Sequence, residues 1–455
     1  MKGESAAGAV PLTFGDHYAI RLGAGAAHES RMHCGLAVRR PGPPPDVEAL
    51  RELVAERVRV AAPALTYRPA GRGRRACWEP DPGFDVAHHV EFHRLPRVTY
   101  QAVVDAMRLR PLSWERPLWS LMVLYGEPGE GHVVCYRAHH AFQDGMGVAA
   151  AARALLGTGT LPAPTGTGAG DDRGGGGGGG GAGRGGGGGP VYRGSPAPVR
   201  RALGDLRRLA AASPPWFATH PDPGASSGDG LRLEVANLDR EAFDDVSRAT
   251  GASIAQIGLA LVTGAIRAWN QPARDAGPAQ DGAGKPAPGL PVGLPVGLPV
   301  GLLGHREHAG LGNHTGLLPI TLPCAEPSPA TRLERIAEQT TISRIEHARR
   351  SARRLYGLPA AVAVPMLRLL SPLLGRRSPR RLGATALPVP RELAGQGEVF
   401  AVPGLPPALA GMVVILPAGA NVAISAVFDP RVARTDEFPG LLRRELTESL
   451  APATR

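Results

Sequence analysis

Two adjacent histidines, His139 and His140, are followed after three residues by Asp144 and Gly145. An imidazole titrates near neutral pH, so a histidine held at the end of a rigid element can take a proton from a substrate hydroxyl under physiological conditions. The surroundings suit that use. Val133, Val134, Cys135 and Tyr136 form the apolar and β-branched run of a buried strand, and Met146 to Leu156 is rich in Ala and Leu, as a helix requires. Both histidines therefore leave the end of a strand, and Asp-Gly turns the chain into a helix. Two solvated histidines are the plain alternative, but the strand before them and the Asp-Gly after them favour a base. A second pair, His88-His89, has no Asp-Gly behind it and reads as structural.

Several elements must position these residues. His33 to Val38 reads as a first strand, and Val47 to Val58 as a helix with Leu50, Val54 and Val58 on one face. Ser120 to Tyr125 and the strand ending at His139 are joined by a short turn and predict a hairpin. Pro117, Leu118 and Trp119 stand at its start and are expected to pack there. Pro11 to Ile20 reads as a loop entering a helix that Asp16 could cap. Later, Ile254 to Trp269 and Thr331 to Leu355 predict helices, and Val399–Val402, Gly411–Leu416 and Val422–Phe428 predict strands.

The 455 residues exceed one small core and predict two domains. The formal charge is +11, from 51 basic and 40 acidic residues, yet Lys occurs only at Lys2 and Lys285. Arg-rich, Ala-, Gly- and Pro-rich usage points to a GC-rich genome rather than to nucleic-acid binding, for which aromatic interleaving and binding motifs are missing. Cys34, Cys77, Cys135 and Cys324 have no metal-ligand or redox spacing, so no metal or resident cofactor is expected. Scattered cysteines and an opening Met1-Lys2-Gly3-Glu4-Ser5 without an apolar core predict a cytoplasmic protein.

Residues 174–189 are almost pure glycine and cannot offset their ordering entropy, which predicts a disordered linker over 157–195. The predicted organisation is a first half over 1–156, this linker, and a second half over 196–455 with a flexible insert at about 271–303. The insert runs into Leu-Pro-Val-Gly written three times from Leu290, which reads as a slippage product. Between Glu346 and Glu392 no acidic residue occurs, and Arg349 to Arg381 flank an apolar stretch, Leu358 to Leu374. Such a stretch fits a membrane interface or a buried helix with solvated ends, although Pro359, Pro365 and Pro372 argue against a regular surface helix.

Taken together, these stretches resemble the bacterial wax ester synthase/diacylglycerol acyltransferase family, within the superfamily of CoA-dependent acyltransferases. The resemblance rests on Pro11 to Ile20, on Phe84-Asp85 with His89-Val90, on Arg116 to Trp119, on His139 to Gly145, and on Gly312-Asn313 followed by Leu317 to Pro323. It implies an α/β fold of two chloramphenicol-acetyltransferase-like subdomains, each a mixed sheet flanked by helices, with an active-site tunnel between them. It also implies transfer of a long-chain acyl group from acyl-CoA, as co-substrate, to diacylglycerol or a fatty alcohol. His140 would be the general base, His139 would orient the loop, Asp144 would be structural, and Gly145 would allow close backbone approach or positive φ. Pro117, Leu118, Trp119 and Asn313 would be supporting residues. Contact with an anionic membrane or lipid droplet would fall to residues 349–381.

The chain departs from the family in its second half. Ile254-Ala255-Gln256-Ile257 stands where a Val-Asn-Asp-Val opens the central helix, and Phe400-Ala401-Val402-Pro403-Gly404-Leu405 where the family has Ser-Asn-Val-Pro-Gly-Pro. Two other readings therefore stand beside the first: a condensation-type enzyme using carrier-bound acyl groups, and a catalytically impaired lipid-binding or scaffold relative.

Overall fold

The run that ends in the two histidines is a strand because both of its faces are covered. Val134, Tyr136 and Ala138 point into one apolar cluster, and Val133 and Cys135 into another. With both faces covered, all eight residues of this strand are buried, Arg137 among them with its guanidinium hydrogen-bonded to Ser120 Oγ and Arg110 O. The computed structural model describes residues 8–25, 29–157, 216–217, 230–270, 292–302, 310–374, 381–389 and 391–450. The expected linker over 157–195 falls, apart from Gly157, outside the described residues.

In chain order the strands are β1 (Val10–Pro11), β2 (His33–Arg40), β3 (Tyr67–Ala70), β4 (Cys77–Pro80), β5 (Val90–Arg94), β6 (Trp119–Tyr125), β7 (His132–His139), β8 (Arg232–Asp239), β9 (Leu294–Gly301), β10 (Thr315–Leu322), β11 (Arg381–Ala386), β12 (Glu398–Val402), β13 (Leu409–Ala418) and β14 (Asn421–Phe428). They form a five-stranded sheet ordered β12-β2-β7-β6-β5, a six-stranded sheet ordered β10-β9-β11-β13-β14-β8, and a small β1-β4-β3 sheet. Both large sheets are mixed: β5 runs parallel to β6, and β11 runs parallel to β9 and β13. The β6–β7 hairpin forms as expected, with Tyr125 opposite His132 and Trp119 opposite Ala138.

Helices Val47–Ala61 and Gly145–Leu156 cover one face of the five-stranded sheet through Leu50, Val54, Val58, Val148 and Leu155. Helix Ile254–Trp269 is almost wholly buried against the six-stranded sheet. The architecture is thus a pair of mixed-sheet lobes. One strand crosses between them: β12, which follows β11 in the chain, pairs with β2 at the edge of the first sheet, from Glu398–Arg39 to Val402–Gly35.

Three local expectations need correction. Thr13, not Asp16, caps helix Phe14–Leu22. Its hydroxyl accepts from Asp16 N, while Asp16 Oδ2 accepts from Thr13 N, which is a reciprocal capping box. The single helix expected over 331–355 is two, Pro329–Gln339 and Ile342–Tyr356. The break falls at Thr340-Thr341, where Thr340 Oγ1 donates back to Ile336 O and Thr341 is extended. Ala360–Leu374 is helical despite Pro365 and Pro372, with Ala363 and Leu367 packed on Phe14 and Leu355. That burial outweighs the hydrogen bonds the prolines remove.

A fourth correction concerns the insert at about 271–303. Residues 271–291 lie outside the described residues, but residues 294–301, two copies of the Leu-Pro-Val-Gly repeat, are β9, a strand inside the six-stranded sheet. A period of four is a multiple of the strand period of two, so Leu294, Val296 and Val300 all reach the core. Pro295 and Pro299 share one parity and lack N–H groups on the same side of the strand. In keeping with this, β9 pairs with β10 at all eight positions and with β11 at only two.

Candidate active site

His139 and His140 leave β7 with different environments. His139 is buried; its N–H donates to Leu118 O at 3.0 Å, and its ring Nδ1 accepts from Ala141 N at 3.1 Å. Burial, with His33 and His140 nearby, holds its pKa well below the usual imidazole value. Its ring packs edge-on against Trp114 (ring centroids 5.1 Å apart) with Nδ1 engaged. The Pro-Leu-Trp segment acts on the site through the Leu118 carbonyl. Trp119 is pinned by its Nε1–H to Leu65 O at 2.7 Å and by stacking on His89 at 4.5 Å. Pro117 O accepts from Trp119 N, which completes the turn.

His140 is half-buried and lines a cavity of about 690 Å3 between the lobes. Its Nδ1–H donates to Gln143 O at 3.1 Å, which leaves Nε2 as the free basic nitrogen. Its backbone is clamped from two sides, N–H to Met32 O at 2.8 Å and C=O from Asn313 Nδ2 at 3.0 Å. Gln143 is itself fixed: Tyr136 Oη donates to its Oε1 at 2.6 Å, and its Nε2 donates to Gly310 O.

Asp144 accepts hydrogen bonds at both carboxylate oxygens. Oδ1 accepts from Gly147 N at 2.9 Å and caps helix Gly145–Leu156. Oδ2 reaches the other lobe, accepting from His314 N at 3.0 Å and Thr315 Oγ1 at 3.2 Å. Gly145 is needed for close approach rather than positive φ: a Cβ there would stand 2.9 Å from Leu387 Cδ2.

The sequence reading missed a second buried acid that grips the same loop. Asp16 Oδ1 accepts from Asn313 N at 2.6 Å, and Oδ2 accepts from Trp78 Nε1 at 3.1 Å. Burial raises its pKa, opposed by the hydrogen bonds from Asn313, Thr13 and Trp78 and by His314. Tyr356 was also missed. Its hydroxyl donates to Thr315 O at 3.0 Å and accepts from Thr315 N at 3.2 Å. The signal for Asp16 was its place in Pro11 to Ile20; nothing local marks Tyr356. Segment 312–315 is thus held by Asp16, Asp144 and Tyr356 and itself holds His140. Gly15 leaves room for this knot, since a Cβ would fall 2.2 Å from Tyr356 Oη and 2.3 Å from Asn313 O. Gly15→Ala is therefore expected to displace Tyr356 and the 312–315 segment and to lower turnover at least ten-fold, a barrier increase of about 1.4 kcal/mol. Steady-state assay beside a circular-dichroism check of folding measures it; wild-type turnover would refute the packing.

Buried neutral histidines make stability pH-dependent. Burial lowers His33 to about 3 and His89 to about 4, and holds His139 well down. The folded values lie below the unfolded value of about 6.5, so the unfolded state binds more protons as pH falls. Their contribution is complete above that value and lost on acidification toward pH 4. Each costs about 1.4 kcal/mol per pH unit within its window. A melting midpoint unchanged between pH 7.5 and 5 would contradict this.

The two lobes, the cavity between them and a histidine-bearing loop at the cavity wall define a chloramphenicol-acetyltransferase-like protein. Comparison with known proteins narrows this. A family model, the wax ester synthase/diacylglycerol acyltransferase catalytic domain, matches residues 23–169. A Mycobacterium tuberculosis H37Rv protein named as a diacylglycerol O-acyltransferase is 24% identical over 221 residues, 45% of this chain and 47% of its own. A Mycobacterium bovis protein with the same name is 31% identical over 132 residues, 26% of this chain and 28% of its own. The matched stretch thus spans about half or less of these relatives. Among solved structures, the wax ester synthase/diacylglycerol acyltransferase of Marinobacter aquaeolei VT8 superposes with a TM-score of 0.54 at 16% identity, covering 98% of this chain and 100% of that one. The first condensation domain of the calcium-dependent antibiotic synthetase gives 0.62 at 15% identity, covering 99% of each. Residues 23–169 are thus similar to the wax ester synthase/diacylglycerol acyltransferase catalytic domain, and the fold of the whole described chain is similar to that of the Marinobacter aquaeolei VT8 protein.

Proposed function

We propose that this protein is an O-acyltransferase that moves a long-chain acyl group from acyl-CoA to diacylglycerol, a fatty alcohol, or both, with His140 as general base. The observation that carries the reading is His140 at the cavity wall with Nδ1–H committed to Gln143 O. In the reaction, the acceptor hydroxyl oxygen attacks the thioester carbonyl carbon while Nε2 takes its proton. The tetrahedral intermediate collapses, the C–S bond breaks, and the proton returns from Nε2 to the departing CoA sulfur. Ester and free CoA result, with no covalent enzyme intermediate and no further cofactor. Cys34 and Cys135 are unsuited to nucleophilic attack, since burial pushes both thiols up to about 12.

The departures in the second half are compatible with this reading. Gln256 closes a capping box with Ser253 at the start of helix Ile254–Trp269 and donates to Thr340 Oγ1, and Ala401 N donates to Ser425 Oγ. Gln256 and Ala401 are thus both hydrogen-bonded within the second half, which weighs against an impaired relative. The condensation-type alternative retains one supporting observation, the likeness to condensation domains. Purified protein assayed with long-chain acyl-CoA and either acceptor separates the readings. Turnover only with a carrier-loaded acyl group would favour condensation chemistry, and no turnover with any donor would favour a binding role.

The acceptor is a lipid, and we place the protein in the cytoplasm in peripheral contact with an anionic lipid surface. Ile342, Val362 and Leu369 are 81%, 51% and 79% exposed on helices Ile342–Tyr356 and Ala360–Leu374, among arginines with no acid between Glu346 and Glu392. No single described helix is long and apolar enough to cross a membrane. Co-sedimentation with anionic but not neutral vesicles, weakened by salt and by Leu369→Glu with Arg354→Glu, is the expected result. Equal recovery with neutral vesicles would remove this contact.

A further inference from the structure

The repeat-derived strand β9 has two unlike faces. Leu294, Val296 and Val300 are buried in the core, whereas Pro295, Gly297 and Pro299 line the cavity. Neighbouring strands continue that surface. Gly297 lies opposite Pro319 of β10 and beside Gly383 of β11, and Gly383 lies beside Met412 of β13. Pro319, Gly297, Gly383 and Met412 thus form one row across four strands, and all four line the cavity. The two middle positions of the row carry no side chain. The pocket-facing positions of β9 carry no polar side chain either, and its backbone is paired with β10 along its whole length.

The row has a fixed place relative to His140. β10 begins at Thr315, two residues after Asn313, whose side chain holds the His140 carbonyl. Pro319 is four residues further on, and a strand rises about 3.3 Å per residue, so the row crosses the sheet roughly 13 Å from the catalytic end. Helix Ile342–Tyr356 also contributes to the lining, through Ser343, His347, Ala348 and Ala352.

We infer that β9 is the specificity wall of this cavity, and that Gly297, flanked by Pro295 and Pro299, is the position that lets an extended, unbranched hydrocarbon chain pass the row, which lies about 13 Å along β10 from Thr315. The inference rests on the acyl-transfer reading and adds the position in the wall that sets how far a chain can extend. It also gives the repeat a physical meaning. Because four is even, the two copies within β9 place Leu and Val on the core face and Pro295, Gly297 and Pro299 on the cavity face.

The test is a graded series in the full chain, Gly297→Ala, Gly297→Val and Gly297→Leu. A β-branched residue suits a strand, so Gly297→Val is expected to fold, with circular dichroism as the check. The first readout is competition between hexadecanoyl-CoA and octanoyl-CoA. Their kcat/KM ratio should fall progressively along the series, by about ten-fold or more for Gly297→Val, with octanoyl transfer retained. The second readout needs no catalysis: displacement of a fluorescent long-chain fatty acid by unlabelled fatty acids of two lengths. Long-chain binding should weaken in Gly297→Val while short-chain binding persists. An unchanged ratio together with unchanged long-chain binding in folded variants would overturn the inference and leave the acyl-transfer reading intact. A wild type that turns over no acyl-CoA would end that reading instead, and the binding series alone would then decide the role of β9.

Discussion

Replacing His140 with alanine is expected to lower kcat about 10²- to 10⁴-fold while leaving the KM for acyl-CoA near its wild-type value. The loss corresponds to about 3–5 kcal/mol of transition-state stabilisation. The split between kcat and KM follows from geometry. His140 contributes one ring nitrogen at the cavity wall, whereas the chain-binding surface is built from β9, β10 and helix Ile342–Tyr356. Its backbone contacts to Met32 and Asn313 do not involve the imidazole, so the loop should survive the substitution. His139→Ala should behave differently. It removes a buried ring packed on Trp114 and the acceptor of Ala141 N, so a drop in melting temperature is expected alongside any loss of turnover. Single-turnover and steady-state measurements on both variants, with melting curves, check the pair of outcomes. Wild-type kcat in His140→Ala would remove this residue as the base.

Asp144→Ala is expected to produce the largest loss of stability among the site residues, about 3–7 kcal/mol. The cap to Gly147 N contributes about 1 kcal/mol. The donors His314 N and Thr315 Oγ1, left without this acceptor in a largely buried site, cost about 1–3 kcal/mol each. Because those donors belong to the second lobe, the damage should reach His140 through Asn313, and turnover should fall with stability. Asp144→Asn keeps one acceptor oxygen for the cap but cannot accept at both positions, so an intermediate loss is expected. Urea titration of the three proteins measures it; a shift below about 1 kcal/mol for Asp144→Ala would show that the lobes are joined mainly elsewhere. Arg31, with its Nε–H on Leu405 O and its guanidinium on Asp429 at 2.8 Å, would be the next place to look.

Much of the first lobe was legible because its signals are local. Val133 to Tyr136 alternate between two apolar clusters, the turn before His132 sets the hairpin register, and Asp144 sits where a cap satisfies free helix N–H groups. The motif therefore determined its own strand-loop-helix conformation. The second half was less legible. Thr340-Thr341 broke a helix whose apolar period ran on through it, and a repeat that resembled slippage was a strand.

By itself, then, the amino-acid sequence determined the strand-loop-helix around His139 and His140, the β6–β7 hairpin, the likeness to the family model across residues 23–169 and the presence of two lobes. Only the tertiary structure decided how the lobes meet. Asp16 lies 297 residues from Asn313, and Asp144 lies 170 residues from His314, yet these pairs hold the loop that clamps His140. β12 crosses to pair with β2, and β9 turns its prolines and glycines toward the cavity. The physical reason is the same in each case. Periodicity and capping report interactions within a few residues of chain, whereas a buried carboxylate chooses its donors, and an edge strand its partner, from whatever the packed core brings alongside.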